Sequence, residues 1–446
     1  MIKMRFGIIM IIIIGVLFAL FVVISPEASA EAVADEAADS VQNTTDMLWV
    51  AVAIALVFLM SPGIALFYGG MLRKQSMTST MAQCGLGTAV VFFIWTAIGY
   101  SLAFSGDILG FIGGLGGMMA SGVPFDSSTL GLTIPDMEFL IFQGMFAAVS
   151  ACIIVGASAE RVRFPALMVF LALWSVLVYA PMAHMVWGGG ILSTEGGLIT
   201  TLDYAGGTVV HICSGITGIA IALAVGRRGK RIIKDRPHNI PMMFLGAFLI
   251  WVGWIGFNGG SGLAVSGEMV NVIMNTLISS VAAMVMWAVI QAVKVGRVGV
   301  TGICAGLISG LVAITPGCAF VDTPAAIVIG MAGAVVCYFG ASMIKKRSNV
   351  DDALDVFGLH GIGGIWGAVA TGIFAVPLLT DTPGLIYGGA SLFAGQLAAV
   401  GFTLVYCFAI SFAIMKALSY FMRIRLTEEE EMIGADIIEH GESAYN

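Results

Sequence analysis

Eleven apolar segments follow one another along this chain, each long enough to cross a lipid bilayer as a helix. A bilayer core of about 30 Å needs about 20 residues of helix. Hydrophobic residues make up 59% of the sequence and charged residues 11%, against roughly 45–50% and about 25% in soluble domains. The sequence therefore predicts an all-α integral membrane protein with one eleven-helix domain over residues 47–422. The segments are 47–69, 79–104, 137–158, 165–186, 204–226, 240–260, 269–293, 299–317, 324–344, 356–378 and 389–422.

The first thirty residues have the pattern of a secretory signal peptide. Lys3 and Arg5 precede an apolar run from Phe6 to Ile24, and Ala28-Ser29-Ala30 offers a small-residue cleavage site. Residues 1–30 are therefore predicted to be a signal peptide, with an uncleaved anchor as the alternative. Either reading places the acidic segment 31–46 outside the cell.

The lysines and arginines predict how the chain is oriented in the membrane. After the signal they cluster behind every odd-numbered apolar segment, and the connections between the clusters contain none. Short cytoplasmic loops collect such residues. We therefore expect a multi-pass protein of the cell membrane with its N-terminus outside and a cytoplasmic tail over residues 423–446.

The cysteines and the net charge exclude several classes of function. The seven cysteines form no C-x-x-C pair and lie almost entirely in apolar stretches, so we expect buried thiols rather than a disulfide framework. The histidines have no third ligand at a metal-binding spacing. The net charge of −7 comes largely from the two ends of the chain. We predict no metal, no cofactor and no nucleic-acid partner.

Two histidines inside apolar segments are the strongest candidates for function. An ionisable residue within the membrane is costly and marks a functional hypothesis. His211 and His360 lie in the fifth and tenth segments at depths that bring both rings near the midplane from opposite faces. The odd offset predicts two inverted five-segment repeats with a site at their interface. The alternatives are a proton-sharing pair of neutral rings, or two separate histidines each bonded to a backbone carbonyl.

Aspartates precede both histidines. Asp203 stands at the predicted outer end of the fifth segment, where it can cap the helix by accepting from free backbone N–H groups and can also favour cations near the mouth. Asp355 is expected to cap the tenth segment in the same way. A membrane enzyme that uses the histidines as acid and base is a further alternative, but no nucleophile or H-E-x-x-H motif accompanies them.

At these residues the chain resembles the ammonium transporters of the Amt/Rh family, in particular the Amt branch. The resemblance covers about Asp46 to Asn446. It is carried by seven ordered motifs: "ALFYGGMLR", "FQGMFAAVSACIIVGASAERVRF", "AHMVWGGG", "LDYAGGTVVH", "GWIGFNGGS", "VDDALDVFGLHGIGG" and "GADIIEHGESAYN".

This resemblance implies a homotrimer with one pore in each eleven-helix subunit. It assigns ammonium binding in an outer vestibule to Phe146, Trp187, Ser261 and Ala205, and a gate of stacked rings to Phe146 and Phe257. Aromatic faces attract a cation by roughly 0.5–2 kcal/mol. It further matches His211 and His360 to paired pore histidines, and Asp203 to a carboxylate associated with deprotonation or with shaping the vestibule.

The implied function is ammonium transport, in which ammonium loses its proton outside and ammonia passes the histidines into the cytoplasm. An ammonium sensor and an Rh-like channel for ammonia or carbon dioxide are the alternatives. Family tails contact neighbouring subunits and bind a PII-type signalling protein. The tail "IIEHGESAYN" fits that pattern, so we predict PII regulation, with a simple solvated acidic tail as the alternative.

Overall fold

A computed structural model of the chain describes residues 42–194, 196–229, 237–347 and 350–445. The predicted signal peptide and most of the acidic segment after it lie outside the described residues. The described part contains no β-strand and consists of apolar helices, ten of them long enough to span a bilayer and one shorter. This confirms the all-α membrane fold, because a helix satisfies its backbone hydrogen bonds internally where lipid offers no partner.

The helices are numbered in chain order, and their bounds follow the predicted segments closely. The largest difference is at the start of α2, which begins at Lys74 rather than 79. The helices are α1 Thr44–Met71, α2 Lys74–Phe104, α3 Asp136–Ser158, α4 Phe164–Trp187, α5 Gly207–Val225, α6 Ile240–Gly262, α7 Gly267–Val295, α8 Val300–Ile314, α9 Thr323–Lys345, α10 Phe357–Phe374 and α11 Ala390–Phe421.

Helices α1–α5 and α6–α10 make matching sets of neighbour contacts. In the first set α1 packs on α2 and α3, α2 on α3 and α4, and α3 on α5; in the second set each helix five positions later does the same. Helices five positions apart cross in opposite directions, so the two sets form the predicted inverted five-plus-five repeat. The halves meet where α1 packs on α6 and α5 on α10, and α11 packs outside against α4, α5 and α10.

Burial differs between the centre and the rim of this bundle. Helix α3 is almost completely buried, whereas in α7, α9 and α11 only about a third or fewer of the residues in the span are buried. On α7 the exposed Val281, Val285, Val289 and Val293 recur every fourth residue, which is one face of a helix. An outward apolar face of this kind is stable in lipid and unstable in water.

Helix α8 contains 15 residues, about 22 Å of helix, and is too short to span a bilayer alone. The chain continues from it in buried turns through Cys318. The Asn275 side chain on α7 donates to the Cys318 and Val321 carbonyls at 2.9 and 2.8 Å. These bonds supply the partners that irregular backbone needs at membrane depth.

Four of the helices contain a π-helical turn, which widens the helix by one residue. Two of these turns lie in α2 and α4, at Trp95–Gly99 and Ser175–Tyr179. The other two begin α5 and α10, at Gly207–Ile212 and Phe357–Gly361, and contain His211 and His360 respectively. Such turns are frequent at functional sites.

The two ends of the bundle are named by what covers them. The α2–α3 connection, residues 105–135, lies at the loop face. The C-terminal segment, residues 422–445, lies at the tail face, where its short helix α12 (Glu428–Ile433) is closed by a capping box between Thr427 and Glu430. Asp436 in this segment accepts from the Thr78 and Ser79 amides at 3.1 and 2.7 Å and so caps the α-helical part of α2, which begins at Met77.

Candidate functional site

A cavity of about 470 Å³ opens at the loop face, and we call it the vestibule. Three of the four residues predicted to bind ammonium line it: Phe146, Trp187 and Ser261. Ala205 is completely buried and is not among the lining residues. The wall also contains Phe104, Leu130, Leu132, Phe139, Gln143, Ser193, Thr194, Tyr204 and Leu263, so aromatic, aliphatic and polar side chains all line it.

Hydrogen bonds orient the polar groups of the vestibule. The Ser261 hydroxyl donates to the Phe257 carbonyl at 2.7 Å, which leaves its lone pairs free to accept from a guest. The Trp187 indole N–H donates to the Asp203 carbonyl at 2.8 Å. A guest therefore meets an indole ring and a hydroxyl acceptor, two groups that suit a small cation able to donate hydrogen bonds.

A carboxylate at the rim was missed by sequence reasoning. The Tyr204 hydroxyl donates to Glu268 Oε1 at 2.8 Å, which brings the exposed Glu268 of α7 next to the vestibule wall. Glu268 stands in the first turn of α7, whose N-cap is Ser266. A helix-start pattern alone cannot reveal that this turn faces a residue 64 positions away.

Two stacked phenyl rings close the floor of the vestibule. Phe146 on α3 and Phe257 on α6 lie with ring centroids 4.1 Å apart and planes inclined by 25°. Both are buried to within 1% of complete. Trp187 meets the Phe146 ring edge-on, with centroids 6.2 Å apart. The two stacked rings lie between the vestibule and the interior of the bundle. At a centroid distance of 4.1 Å they leave no open channel between each other.

The two histidines meet directly below these rings. Their Nδ1 atoms are 3.4 Å apart, a contact that needs one ring to donate and the other to accept. His211 also stacks on Trp254 and Phe257, with centroids 5.3 and 6.0 Å away. The Nε2 atom of His211 is buried without a hydrogen-bond partner among the described residues.

Close approach of the α5 and α10 backbones makes this contact possible. A Cβ atom on Gly215 would lie 2.4 Å from the Gly361 nitrogen, and one on Gly364 would lie 3.1 Å from the Cβ of His211. Any side chain at Gly215 would push the two helices apart. Glycine at this crossing is therefore required for the rings to reach each other.

Asp203 forms the cap of α5. Its carboxylate accepts from the Gly206, Gly207 and Thr208 amides at 2.9, 2.6 and 2.7 Å, and from the Thr208 hydroxyl. The turn depends on Gly206, whose φ of +110° favours glycine. Burial raises the pKa of Asp203 above its usual range, and these hydrogen bonds oppose the rise.

The cap of α10 differs from the prediction. Asp352, rather than Asp355, accepts from the Val356 and Phe357 amides at 2.9 and 2.7 Å. Asp355 has a left-handed φ of +57° and instead accepts from Lys345. Its side chain therefore leaves the helix start. Asp352 precedes His360 by eight residues, the same offset as Asp203 before His211, and that spacing was the signal that could have identified it.

Below the histidines a small apolar cavity leads toward the tail face. Its volume is about 20 Å³, room for about one small molecule. Its wall includes His360, Phe67, Val149, Trp254, Leu354 and Leu359. Leu354 also borders a cavity of about 330 Å³ at the tail face. The vestibule, the stacked rings, the histidines and these two cavities form a series through the bundle.

Charged side chains surround the tail-face cavity. Arg228 pairs with Glu160 at 2.7 Å and with Asp351 at 2.9 Å. Burial alone would raise the pKa of Asp351, but the hydrogen bonds and positive charge of Arg228, with Arg161, lower it to about 2. Neighbouring Asp352 has its pKa raised to about 6 by burial and by the charge of Asp355. The end opposite the vestibule is therefore ionic rather than aromatic.

The metal-ligand and thiol side chains in the described part of the chain are easily placed. Within it, no cluster of three or more histidine, cysteine or acidic side chains is arranged to hold a metal ion. All seven cysteines are buried free thiols. The structure thus offers the membrane-embedded histidine pair as the central polar feature.

Comparison with known proteins identifies the family. Residues 48–445 match the model of the Ammonium Transporter Family. The chain is 44% identical over 403 residues to an ammonium transporter of Bacillus subtilis, covering 90% of this chain and 98% of that protein. It is 40% identical to the ammonium transporter Amt1 of Archaeoglobus fulgidus over 402 residues, covering 90% and 99% of the two chains.

A solved structure agrees with the sequence comparison. The crystal structure of Candida albicans Mep2 superposes with a TM-score of 0.81 at 34% identity, over 91% of each chain. The multi-pass helical bundle, the match across nearly the whole chain and the similarity to proteins of this kind lead to one conclusion: the chain belongs to the ammonium transporter family.

Proposed function

We propose that this protein carries ammonium across the membrane by binding it in the vestibule, where ammonium gives its proton to solvent water, and by conducting ammonia past the histidine pair. The observation that supports this most directly is the sequence of surroundings along one path. An aromatic cavity with a hydroxyl acceptor is followed by stacked phenyl rings and then by two touching, buried imidazoles.

Desolvation gives the physical reason for losing the proton. Taking a bare cation into an apolar, water-poor path is very costly, whereas neutral ammonia crosses at a much lower cost. The unpartnered Nε2 of His211 can exchange a hydrogen bond with ammonia there. Two neutral imidazole rings that share one proton offer hydrogen-bonding groups to ammonia and carry no fixed charge.

Asp203 acts in this proposal as a structural carboxylate rather than as the proton acceptor. Three backbone amides and the Thr208 hydroxyl already donate to its two oxygens. Its backbone carbonyl is also occupied, by the Trp187 indole. The residue therefore fixes the start of α5 and the orientation of the vestibule indole together.

Uptake of radiolabelled methylammonium by cells lacking other carriers tests the proposal. His211→Ala and Phe257→Ala are expected to lower uptake by at least tenfold, because they remove the polar contact and the gate ring. Phe408→Ala, in a stacked pair on α11 with Phe412, is the matched aromatic control and should retain uptake. Normal uptake by both site variants would overturn the proposal.

Current in proteoliposomes tests the mechanism and the selectivity. Ammonium and methylammonium should be transported, and potassium should not, because potassium cannot donate a hydrogen bond to Ser261. A potassium flux equal to the ammonium flux would overturn the selectivity. Whether ammonium produces a current decides whether the proton crosses as well.

The orientation and assembly are part of the proposal. The described basic residues Arg73 and Arg163 contact the tail, so we assign the tail face to the cytoplasm and the vestibule to the outside. Labelling of an introduced cysteine at Ser443 only after permeabilisation would support this. The family resemblance supports a homotrimer of subunits with one pore each, which native mass spectrometry of the detergent-solubilised protein tests.

A PII-type protein is proposed to bind at the tail face and block transport. The tail offers the exposed Glu442 and Ser443 beyond its packed region, while Tyr445 contacts His238 and Asn239. Deletion of residues 441–446 keeps the Asp436 cap of α2 and should abolish inhibition by added PII. Inhibition by PII that persists in this variant and in a longer deletion of residues 434–446 would contradict this part of the proposal.

A further inference from the structure

His184 is a buried histidine that the transport path does not use. It lies in α4, three residues before Trp187, and its exposed fraction is 0%. Its Nδ1 lies 2.9 Å from the Ala103 carbonyl at the end of α2, and its Nε2 lies 2.8 Å from Asp107 Oδ1 in the α2–α3 connection. The ring therefore joins α4 to the loop that covers the vestibule.

Both neighbours of this ring are hydrogen-bond acceptors. A backbone carbonyl can only accept, so Nδ1 must carry a proton. An ionised carboxylate can only accept as well, so Nε2 must also carry one. Asp107 is half exposed, and its pKa is lowered by the hydrogen bond from His184. A neutral ring would turn a lone pair toward a carboxylate at 2.8 Å.

Other titratable groups around this turn are committed elsewhere. Asp203, before α5, accepts from the amides at the start of that helix. Asp136, at the start of α3, accepts from Ser128 and Thr129. The Tyr100 ring on α2 packs against Phe104 and Phe139. Asp107 is the charged group that the structure places against the His184 ring.

The backbone around the ring is fitted to this contact. A Cβ atom on Gly188 would lie 2.1 Å from the Ala103 oxygen and 2.8 Å from His184 Nδ1. The Gly110 amide donates to Asp107 at 2.8 Å, and the Gly110 carbonyl accepts from the Ile191 amide at 2.9 Å. The Asp107 carboxylate thus contacts the His184 ring directly and, through Gly110, connects the loop to the chain that follows Trp187.

We propose that His184 is held as an imidazolium between Ala103 and Asp107, and that this ion pair positions Trp187 and the covering loop for ammonium binding. His184 is a positioning residue, because it reaches the vestibule only through Trp187 and Gly188, which line it. The role of this ion pair in ammonium binding rests on the proposed function, whereas the protonation state of His184 does not.

Magnetic resonance of isotope-labelled histidine rings tests the protonation state directly. In the intact protein at neutral pH, the His184 ring should show a proton on each nitrogen, with the signal assigned by its loss in His184→Asn. In Asp107→Asn the signal should become that of a neutral ring, because the asparagine amide can donate to Nε2. A neutral His184 in the wild type would overturn the proposal whether or not the protein transports.

The concentration dependence of transport tests the positioning role. Asp107→Ala should raise the half-saturating methylammonium concentration about tenfold at neutral pH, the size expected for one charge-assisted hydrogen bond. Asp107→Asn should stay near the wild-type value, because the asparagine amide can donate to Nε2 and so keeps the contact.

Asp126→Asn is the matched control. Asp126 is an exposed carboxylate of the same loop that contacts Ser127, so its removal takes the same charge from the same face. Unchanged half-saturation in this variant excludes general electrostatic attraction. A wild-type half-saturation in Asp107→Ala, or a loss in Asp107→Asn as large as in Asp107→Ala, would overturn the positioning role, and absent wild-type uptake would count against the proposed function alone.

Discussion

The starts of α5 and α10 are built on one plan and placed in different surroundings. Each has an aspartate eight residues before a histidine, a cap on the first amides and a π-helical turn that contains the histidine. At α5 the carboxylate accepts from three closely spaced amides and a hydroxyl. At α10 it accepts from two amides and sits beside ionic groups.

The difference shows that the repeat fixes the backbone while the surroundings decide the chemistry. The α5 end is continuous with the vestibule through the Trp187 indole. At the α10 end, Arg228 pairs with Asp351 beside the cap. The amide of the next residue, Gly229, donates to Glu431 of the tail, so this end contacts the tail. One cap therefore lies beside the vestibule, and the other at the face where the tail packs.

Removal of the two caps should give the largest contrast. Asp203→Ala leaves several buried amides unpartnered, and we expect it to destabilise the protein by about 3–5 kcal/mol. Asp352→Ala leaves two, and should cost roughly half as much. Thermal unfolding in detergent measures both, with Asp381→Ala in an exposed loop as the control. Equal losses of stability in Asp203→Ala and Asp352→Ala would contradict a dependence on the number of amide donors at each cap.

A methyl group at the crossing of α5 and α10 should have the next largest effect. Gly215→Ala places its Cβ 2.4 Å from a backbone nitrogen that cannot move independently. We expect a cost of about 2–3 kcal/mol and loss of methylammonium uptake, because the two rings separate. Gly401→Ala on α11 meets nothing within 4 Å and should be neutral or stabilising; retained uptake in Gly215→Ala would refute the close-contact argument.

The histidines themselves should differ in stability. His211 stacks on Trp254 and Phe257 as well as facing its partner, whereas the ring contact of His360 is with His211. His211→Ala should therefore be less stable than His360→Ala by about 1–2 kcal/mol. The comparison is made by thermal unfolding of the two variants. Identical midpoints would show that stacking contributes nothing at this position.

The smallest expected effect is a pH dependence at the α10 cap. The pKa of Asp352 is raised to about 6, so the folded state binds this proton more tightly than the unfolded state does. Acidification from pH 7 to pH 5 should therefore stabilise the wild type relative to Asp352→Asn by about 1 kcal/mol. Thermal midpoints of both proteins across this range measure the difference. Destabilisation of the wild type relative to Asp352→Asn on acidification would contradict a raised pKa of Asp352.

The sequence predicted the membrane spans well because the cause is local. A stretch of about 20 apolar residues is stable in lipid as a helix whatever its neighbours are. The depths of His211 and His360 followed from counting residues along those spans. The cap at Asp203 also followed, because a carboxylate before a helix start meets amides only a few residues away.

The cap of α10 shows where local reasoning failed. Asp351, Asp352 and Asp355 are all close enough in sequence to reach the helix start, and the first turn alone favours none of them. The left-handed backbone at Asp355 and the ion pair of Asp351 with Arg228 decide the outcome. The ion pair depends on a residue that reaches the site from a distant part of the chain.

The sequence by itself thus determined the helical spans, the repeat and the two buried histidines. The tertiary structure decided which side chains meet: His211 with His360, Tyr204 with Glu268, and His184 with Asp107. The reason is physical. Lipid acts on each helix separately, whereas contacts between helices depend on backbone approach to within a few tenths of an ångström, which only the assembled bundle fixes.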